Sequence, residues 1–217
     1  MSLPFDNGDR ILFQGDSITD CGCRNPDNMN PLGTGYVSII RGMLAAQYPE
    51  LKLTILNRGV SGDRTAELLK RWDEDTLALK PTWLSIKIGV NDVWRKRGEW
   101  NGQGHIQLSD YKQNLHTLID RSYAGGIKNI ILVSPTTIDD DLDSDLNKLL
   151  GEYDEAVREM AKLQHATYVP ARESLLRAIK EIPTVRWTSD GCHPTVAGHA
   201  LIAGVWIKTL EGCGIPF

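Results

Sequence analysis

The sequence predicts an α/β protein in which helices cover both faces of a parallel sheet. Short apolar runs alternate along the chain with amphipathic helical patterns, the order typical of strand–helix–strand units. The apolar runs are nearly continuous rather than strictly alternating, as expected for strands that are buried on both faces. The sequence shows no internal repeat and no low-complexity segment that would indicate another architecture.

The predicted strands and helices follow one another in turn. The strands are placed at residues 10–14, 53–57, 84–88, 129–133 and 166–169. Apolar residues at helical spacing place the helices at residues 36–47, 65–72 with a further segment up to 79, 111–123, 144–164, 173–179 and 196–210. Turn-rich or acidic stretches are expected to be loops at residues 21–34, 97–107 and 137–145.

Length and charge narrow the class of protein. A chain of 217 residues is long enough for one sizeable core, so a single domain over residues 1–217 is expected. The net charge of −4 and the lack of a basic cluster argue against a nucleic-acid partner. The short basic run Arg95-Lys96-Arg97 is expected to be a solvated loop or helix face.

The sequence also favours a location in the cytoplasm. No apolar run approaches the roughly 18 residues of a membrane span, and no secretory signal is seen at the N-terminus. The cysteines are expected to be free thiols in a reducing compartment, and they are Cys21, Cys23, Cys192 and Cys213. Whether a leader was removed and whether the protein forms a homo-oligomer stay open at this point.

The most informative motif follows the first predicted strand. Gly15-Asp16-Ser17-Ile18-Thr19 places a serine hydroxyl at the carboxyl end of a strand, the edge where open α/β sheets bind ligands. Gly, Asp and Ser are also common turn residues, so the motif alone is more often an ordinary turn. A serine hydroxyl becomes a good nucleophile only where a base removes its proton.

His193 is the candidate base. It lies just before the last predicted helix, and Asp190 precedes it by three residues, so this carboxylate could orient the imidazole. The other histidines of the chain lack this spacing, and His199 among them is expected to pack or to cap a helix. A turn with a surface histidine is the alternative interpretation of Asp190 and His193.

Two further strand ends carry groups that could stabilise an oxyanion. Gly62 follows the second strand and lets a backbone N–H approach a ligand, while Asn91 follows the third and offers a carboxamide N–H. With the backbone N–H of Ser17 they would supply three donors, although each residue alone is also explained as a turn residue. The Gly-x-Ser-x-Gly elbow of the α/β-hydrolases is absent, so another type of serine hydrolase is indicated.

Four motifs, in order, resemble those of the SGNH hydrolase superfamily, the GDSL-type esterases. They are Gly15-Asp16-Ser17-Ile18-Thr19-Asp20, Ser61-Gly62, Gly89-Val90-Asn91-Asp92 and Asp190-Gly191-Cys192-His193-Pro194. The resemblance implies a flavodoxin-like three-layer α/β/α sandwich with a five-stranded parallel sheet. It implies Ser17 as nucleophile, His193 as base and Asp190 as the acid that orients it. It further implies an oxyanion hole of Ser17, Gly62 and Asn91, and no metal or organic cofactor.

Within this superfamily the chain is most similar to intracellular acetyl xylan and acetyl-sugar esterases. The similarity is carried by residues 15–22, 33–37 and 88–95 and by Arg71-Trp72. It implies two-step hydrolysis of short-chain (acetyl) esters, on small molecules or on carbohydrates such as xylo-oligosaccharides. These enzymes carry an aromatic residue directly before the catalytic Asp, whereas Ser189 stands here. This departure leaves the leaving-group specificity open.

Candidate substrate contacts lie on the loops at the same edge of the sheet. They are Asp16, Trp94 and Trp187, with Trp100 as a further tryptophan on such a loop. A tryptophan there would stack on a sugar ring, or else pack at the base of its loop.

Three alternative functions remain on the sequence alone. The same triad could serve a lysophospholipase, a thioesterase or an arylesterase with a different acyl pocket. A doubly wound domain could instead be a non-catalytic carbohydrate- or nucleotide-binding module, although neither glycine-rich phosphate-binding motif is present. A metal site formed by cysteines 21, 23 and 192 with His193 is least favoured, because Cys-x-Cys is not the usual zinc spacing.

Overall fold

The computed structural model describes residues 3–99 and 102–212. Within these residues one sheet contains five parallel strands, β1 (Arg10–Gly15), β2 (Thr54–Asn57), β3 (Trp83–Lys87), β4 (Asn129–Val133) and β5 (Thr167–Val169). The strand order is β2-β1-β3-β4-β5, which is the doubly wound order of flavodoxin-like proteins. The predicted fold class and the five-stranded parallel sheet are therefore confirmed.

Helices connect the strands and cover the sheet. They are α1 (Ser17–Asp20), α2 (Tyr36–Gln47), α3 (Thr65–Lys70), α4 (Trp72–Asp75), α5 (Val90–Trp94), α6 (Leu108–Ala124), α7 (Asp145–Leu163), α8 (Ala171–Glu181) and α9 (Val196–Leu210). Helix α9 packs against α2 and α8, and α6 packs against α3 and α7. No helix in the described part of the chain is both long and apolar enough to cross a membrane.

Side chains on neighbouring strands show that the two helix groups lie on opposite faces. Ser85 of β3 accepts a hydrogen bond from the indole of Trp206 on α9 at 3.1 Å. Ile86, which follows Ser85 on β3, is paired in register with Gln14 of β1. The Gln14 side chain donates to Thr76, just after α4, at 2.8 Å. Because successive strand residues point to opposite faces, α9 and α4 lie on different sides of the sheet.

The differences from the predicted elements have local causes. The short helices α1 and α5 were not predicted, because one turn of helix is too short to show a hydrophobic period. The predicted helix over residues 65–72 is divided at Arg71, which lies between α3 and α4. Helix α6 begins three residues earlier than predicted, at Leu108, since its first turn is largely polar.

The junction of β1 and α1 depends on a glycine. Gly15 is paired with Lys87 of β3. A Cβ at position 15 would lie 2.3 Å from the carbonyl oxygen of Lys87 and 2.4 Å from Thr19 Oγ1. Only glycine therefore allows the chain to turn from the strand straight into α1, which places Ser17 at the carboxyl edge of the sheet.

Candidate active site

Ser17, His193 and Asp190 form a hydrogen-bonded row at this edge. Ser17 Oγ lies 3.0 Å from His193 Nε2, and His193 Nδ1 lies 2.8 Å from Asp190 Oδ2. Ser17 begins α1, whereas the other two residues precede α9, so the fold joins positions 176 residues apart. The structure thus brings together the three side chains that were predicted from the sequence as a catalytic triad.

Asp190 is oriented by the turn that contains it, residues 190–193, which we call the acid–base turn. Its Oδ1 accepts the backbone N–H groups of Cys192 and His193 at 3.1 and 2.8 Å, which leaves Oδ2 for the imidazole. Partial burial opposes ionisation, but hydrogen bonds from the backbone and ring of His193 hold the pKa of Asp190 below its usual value. An ionised Asp190 accepts the Nδ1 proton, so Nε2 is free to accept from Ser17.

Gly191 fits the acid–base turn against a neighbouring loop. Its φ is +79°, a left-handed conformation that favours glycine. A Cβ here would lie 2.4 Å from the backbone nitrogen of Asp140 and 2.8 Å from Asp139 Cα. The turn is closed by a hydrogen bond from Ser189 N to the carbonyl of His193 at 2.8 Å. The acid–base turn therefore rests directly on the backbone of residues 139–140.

The predicted oxyanion donors lie on adjoining loops. Asn91 Nδ2 donates to the carbonyl of Asp63 at 3.0 Å, and its second N–H is available to a ligand. Gly62 has open space where a side chain would point. Among the residues that the structure describes, no acceptor is found for the backbone N–H of Gly62 or of Ser17. These groups are therefore available to a developing oxyanion.

Two contacts that were not predicted from the sequence, one buried and one partly buried, hold these loops in place. Asp92 Oδ1 accepts from Thr65 Oγ1 at 2.5 Å and from its backbone N–H at 3.1 Å, which ties α5 to α3. Arg71 Nε pairs with Asp63 Oδ2 at 2.7 Å. Burial raises the pKa of Asp92 to about 7, although the Thr65 hydrogen bonds oppose the shift. Only residue type was visible in the sequence, not these long-range partners.

The predicted substrate contact at Asp16 is wrong. The residue is 1% exposed, and its Oδ1 accepts the N–H of Ile18 at 3.0 Å, so it caps α1. Burial raises the pKa of Asp16, and the charge of the buried Lys87 opposes this. A carboxyl group beneath the Ser17 turn supports the turn and does not face the surface where a substrate would lie.

The tryptophans predicted as substrate contacts lie on two separate segments of the chain. Trp94 ends α5 and is partly buried. Trp187 precedes the acid–base turn, donates Nε1 to the carbonyl of Ile182 at 3.1 Å, and lines a cavity of about 250 Å³. Trp100 lies outside the described residues.

The basic run at residues 95–97 is only partly exposed to solvent, unlike the solvated face that was predicted. Lys96 is exposed, as expected. Arg97, in contrast, is only 28% exposed, and its guanidinium lies 3.8 Å from the centroid of the Trp94 ring. The prediction of a solvated face is therefore wrong for Arg97.

The cysteines near the site have separate partners. Cys21 Sγ lies 3.3 Å from His199 Nε2, and Cys23 Sγ lies 3.3 Å from Asp20 Oδ1. These two and Cys192 are free thiols, while Cys213 lies outside the described residues. In residues 3–99 and 102–212, no group of three or more His, Cys, Asp or Glu side chains is placed to hold a metal ion.

His199 also has the structural role that was expected of it. Its Nδ1 accepts the backbone N–H of Tyr36 at 3.2 Å, at the first residue of α2. It is therefore a helix-capping residue, and His193 is the histidine that faces Ser17.

A flavodoxin-like sheet with a Ser–His–Asp row at its carboxyl edge, and no Gly-x-Ser-x-Gly elbow, defines a class of serine hydrolases. Residues 13–201 match the model of the GDSL-like lipase/acylhydrolase family. The chain belongs to this family, and it is a carboxylic ester hydrolase.

Several relatives are similar over nearly the whole chain. An acetylxylan esterase from Geobacillus stearothermophilus is 34% identical over 208 residues, which is 94% of each chain. The crystal structure of Axe2, an acetylxylan esterase from the same organism, has a TM-score of 0.87 and 33% identity, covering 98% of this chain and 97% of that chain. LAE5, an alpha/beta hydrolase enzyme from the metagenome of Lake Arreo, Spain, has a TM-score of 0.89 and 28% identity, covering 99% and 100%.

Solved structures of Axe2 include three catalytic mutants. In these a serine, an aspartate and a histidine, respectively, are replaced by alanine.

Proposed function

We propose that the protein is a serine esterase that removes short acyl groups, above all acetyl, from carbohydrates such as xylo-oligosaccharides. The observation that carries this proposal is the row of Ser17, His193 and Asp190 beside the strand-end donors. The acetyl and carbohydrate specificity is supported by the similarity to the Geobacillus acetylxylan esterase over 94% of both chains.

The proposed mechanism has two steps. His193 Nε2 removes the Ser17 proton as Oγ attacks the ester carbonyl, and the oxyanion accepts hydrogen bonds from Ser17 N, Gly62 N and Asn91 Nδ2. The imidazolium, stabilised by Asp190, then protonates the departing alcohol and leaves an acyl group on Ser17. Water, deprotonated by His193, attacks the acyl-enzyme, releases the carboxylic acid and restores the serine.

We propose that Trp187 and Trp94 contact the carbohydrate. Trp187 is partly exposed and lines the 250 Å³ cavity, whose wall at residues 139–140 packs against Gly191 of the acid–base turn. The same cavity is lined by Asp139 and Asp140, whose carboxylates can accept hydrogen bonds from sugar hydroxyls. An aromatic ring beside such acceptors suits a pyranose, which has apolar faces and a polar rim.

Acyl length and leaving group test this function directly. On p-nitrophenyl esters, kcat/KM should fall beyond acetate or butyrate, and acetylated xylo-oligosaccharides should be deacetylated. Trp187→Ala should raise KM for the oligosaccharides about tenfold and leave hydrolysis of p-nitrophenyl acetate nearly unchanged. A rate that rises with acyl length would instead favour a lysophospholipase or thioesterase. A rate confined to aryl esters would favour an arylesterase.

Replacing Asn91 with alanine should lower kcat about 10²–10³-fold with a smaller effect on KM, because an oxyanion donor acts mainly on the transition state. Steady-state hydrolysis of p-nitrophenyl acetate measures both constants. The matched control is Asn129→Ala, since Asn129 donates to the carbonyl of Thr82 at the opposite end of the sheet. An Asn91→Ala enzyme with unchanged kcat would exclude the carboxamide from the oxyanion hole.

A cytoplasmic location is also proposed, because Cys21, Cys23 and Cys192 are free thiols, as in reducing compartments. The proposed partners are small-molecule or oligosaccharide esters, with no nucleic-acid or membrane partner. Fractionation of the producing cells tests the location.

A further inference from the structure

Arg97 joins α5 to a loop that precedes α7. It follows α5, the helix that carries Asn91, and its guanidinium stacks on Trp94 at 3.8 Å from the ring centroid. Its Nη2 donates to the carbonyl of Ile138 and lies 3.7 Å from a carboxylate oxygen of Asp139. One side chain therefore contacts both α5 and the loop of residues 138–140, which we call the 138–140 loop.

The 138–140 loop is itself firmly held. Asn147 of α7 is fully buried, and its side chain accepts from Ile138 N at 3.1 Å. The same side chain donates to the carbonyls of Asp139 and Asp141 at 3.0 and 2.7 Å. Three backbone hydrogen bonds to one buried amide fix the conformation of this loop, so it can act as a rigid support.

The acid–base turn rests on this support. At Gly191 the backbones of the turn and the 138–140 loop approach so closely that even a Cβ would lie 2.4 Å from Asp140 N. A displacement of the loop relative to α5 would therefore displace Asp190 and His193 relative to Asn91. A continuous series of contacts therefore connects α5, through Arg97 and the 138–140 loop, with the acid–base turn.

We propose that Arg97 is a positioning residue that fixes the base, His193, relative to the oxyanion donors by clasping α5 to the 138–140 loop. The inference rests on the proposed function of this site. A planar guanidinium can stack on an indole while it donates in its own plane to a carbonyl, whereas an ammonium group lacks the planar, multi-donor geometry needed for both contacts. Effective catalysis requires reacting groups to be aligned closely, and a misplacement of about 1 Å can cost about 100-fold.

Arg97→Met keeps much of the side-chain volume but removes the guanidinium contacts with Trp94 and with the 138–140 loop. It should lower kcat for p-nitrophenyl acetate about 10- to 100-fold, while KM changes less than about threefold. Arg97→Lys should recover only part of the loss.

The matched control is Lys96→Met, a change of the same kind at the exposed neighbour of Arg97. Rates are normalised to the fraction of molecules that a fluorophosphonate can label, so that loss of folded protein is not counted as loss of catalysis. Equal normalised kcat values for wild type, Lys96→Met and Arg97→Met would overturn the proposal. If Arg97→Met does not fold, the normalised kcat of Arg97→Lys is compared with those of the wild type and Lys96→Met instead, and equal values again overturn the proposal.

A spectroscopic measurement separates positioning from a general structural role. The proton between His193 Nδ1 and Asp190 should give a low-field proton NMR resonance in the wild type and in Lys96→Met. It should be shifted or broadened in Arg97→Met, and an unchanged resonance would contradict the proposal. A wild-type enzyme that neither hydrolyses esters nor labels at Ser17 would instead refute the proposed function itself.

Discussion

Replacing Ser17 with alanine is expected to lower kcat for p-nitrophenyl acetate about 10⁴- to 10⁶-fold, the loss typical when a serine nucleophile is removed from an intact triad. The reason is geometric, since Ser17 Oγ is the group that lies 3.0 Å from His193 Nε2. The residue contributes its hydroxyl only to this contact, so the thermal unfolding midpoint should change by no more than a few degrees.

The control for this change is Ser109→Ala. Ser109 is an exposed serine near the start of α6, and its replacement should leave kcat unchanged. Titration of active sites with a fluorophosphonate accompanies the kinetics. A Ser17→Ala enzyme that keeps more than a tenth of the wild-type rate would show that another group attacks the ester.

The second large effect is expected for Asp190→Asn, which should lower kcat about 10⁴-fold. An amide at position 190 can offer its NH₂ to the imidazole, which favours a proton on Nε2 and leaves that nitrogen unable to accept from Ser17. KM should change much less than kcat, because the change does not alter the surface that contacts substrate. Steady-state kinetics on the same ester measures both.

Stability provides the control for Asp190→Asn. The folded-state pKa of Asp190 is lowered, so ionisation of this residue contributes stability above its unfolded pKa of about 3.9, and the contribution is lost as the pH falls through the lower folded value. Since both side chains are nearly half exposed, the hydrogen bond between Asp190 and His193 contributes little to the free energy of unfolding. Thermal unfolding at pH 7 should therefore be nearly unchanged, and a large fall in the midpoint would mean that the kinetic loss reflects unfolding.

Much of the fold followed from local patterns. The bounds of β4 and α9 agree with those predicted from sequence, because a continuous apolar run and a long stretch with apolar residues at helical spacing are strong local signals. The triad residues were predicted because Asp190 and His193 have a compact spacing and Ser17 follows a strand directly. No single motif showed that these three residues lie close together in space. The order of the four motifs indicated it.

The remaining features depend on contacts between distant segments. Asp16 was misread as a substrate contact because a motif gives the residue type and not its burial. The partners of Asp92 and Arg97 lie 27 and 41 residues away in the sequence, and no periodicity links them. A basic run is normally solvated, so the hydrogen bond from Arg97 to the carbonyl of Ile138 could be seen only once α5 and the 138–140 loop were placed together.

The most direct test of the catalytic site is mass spectrometry after treatment with a fluorophosphonate. One phosphonyl group per chain should be found on the peptide that contains Ser17, and hydrolysis of p-nitrophenyl acetate should fall in proportion to its formation. Labelling should be lost in Ser17→Ala and greatly slowed in His193→Ala, since the imidazole lies against the hydroxyl. Loss of hydrolysis with the label on another residue, or sustained hydrolysis after Ser17 is fully labelled, would contradict the assignment.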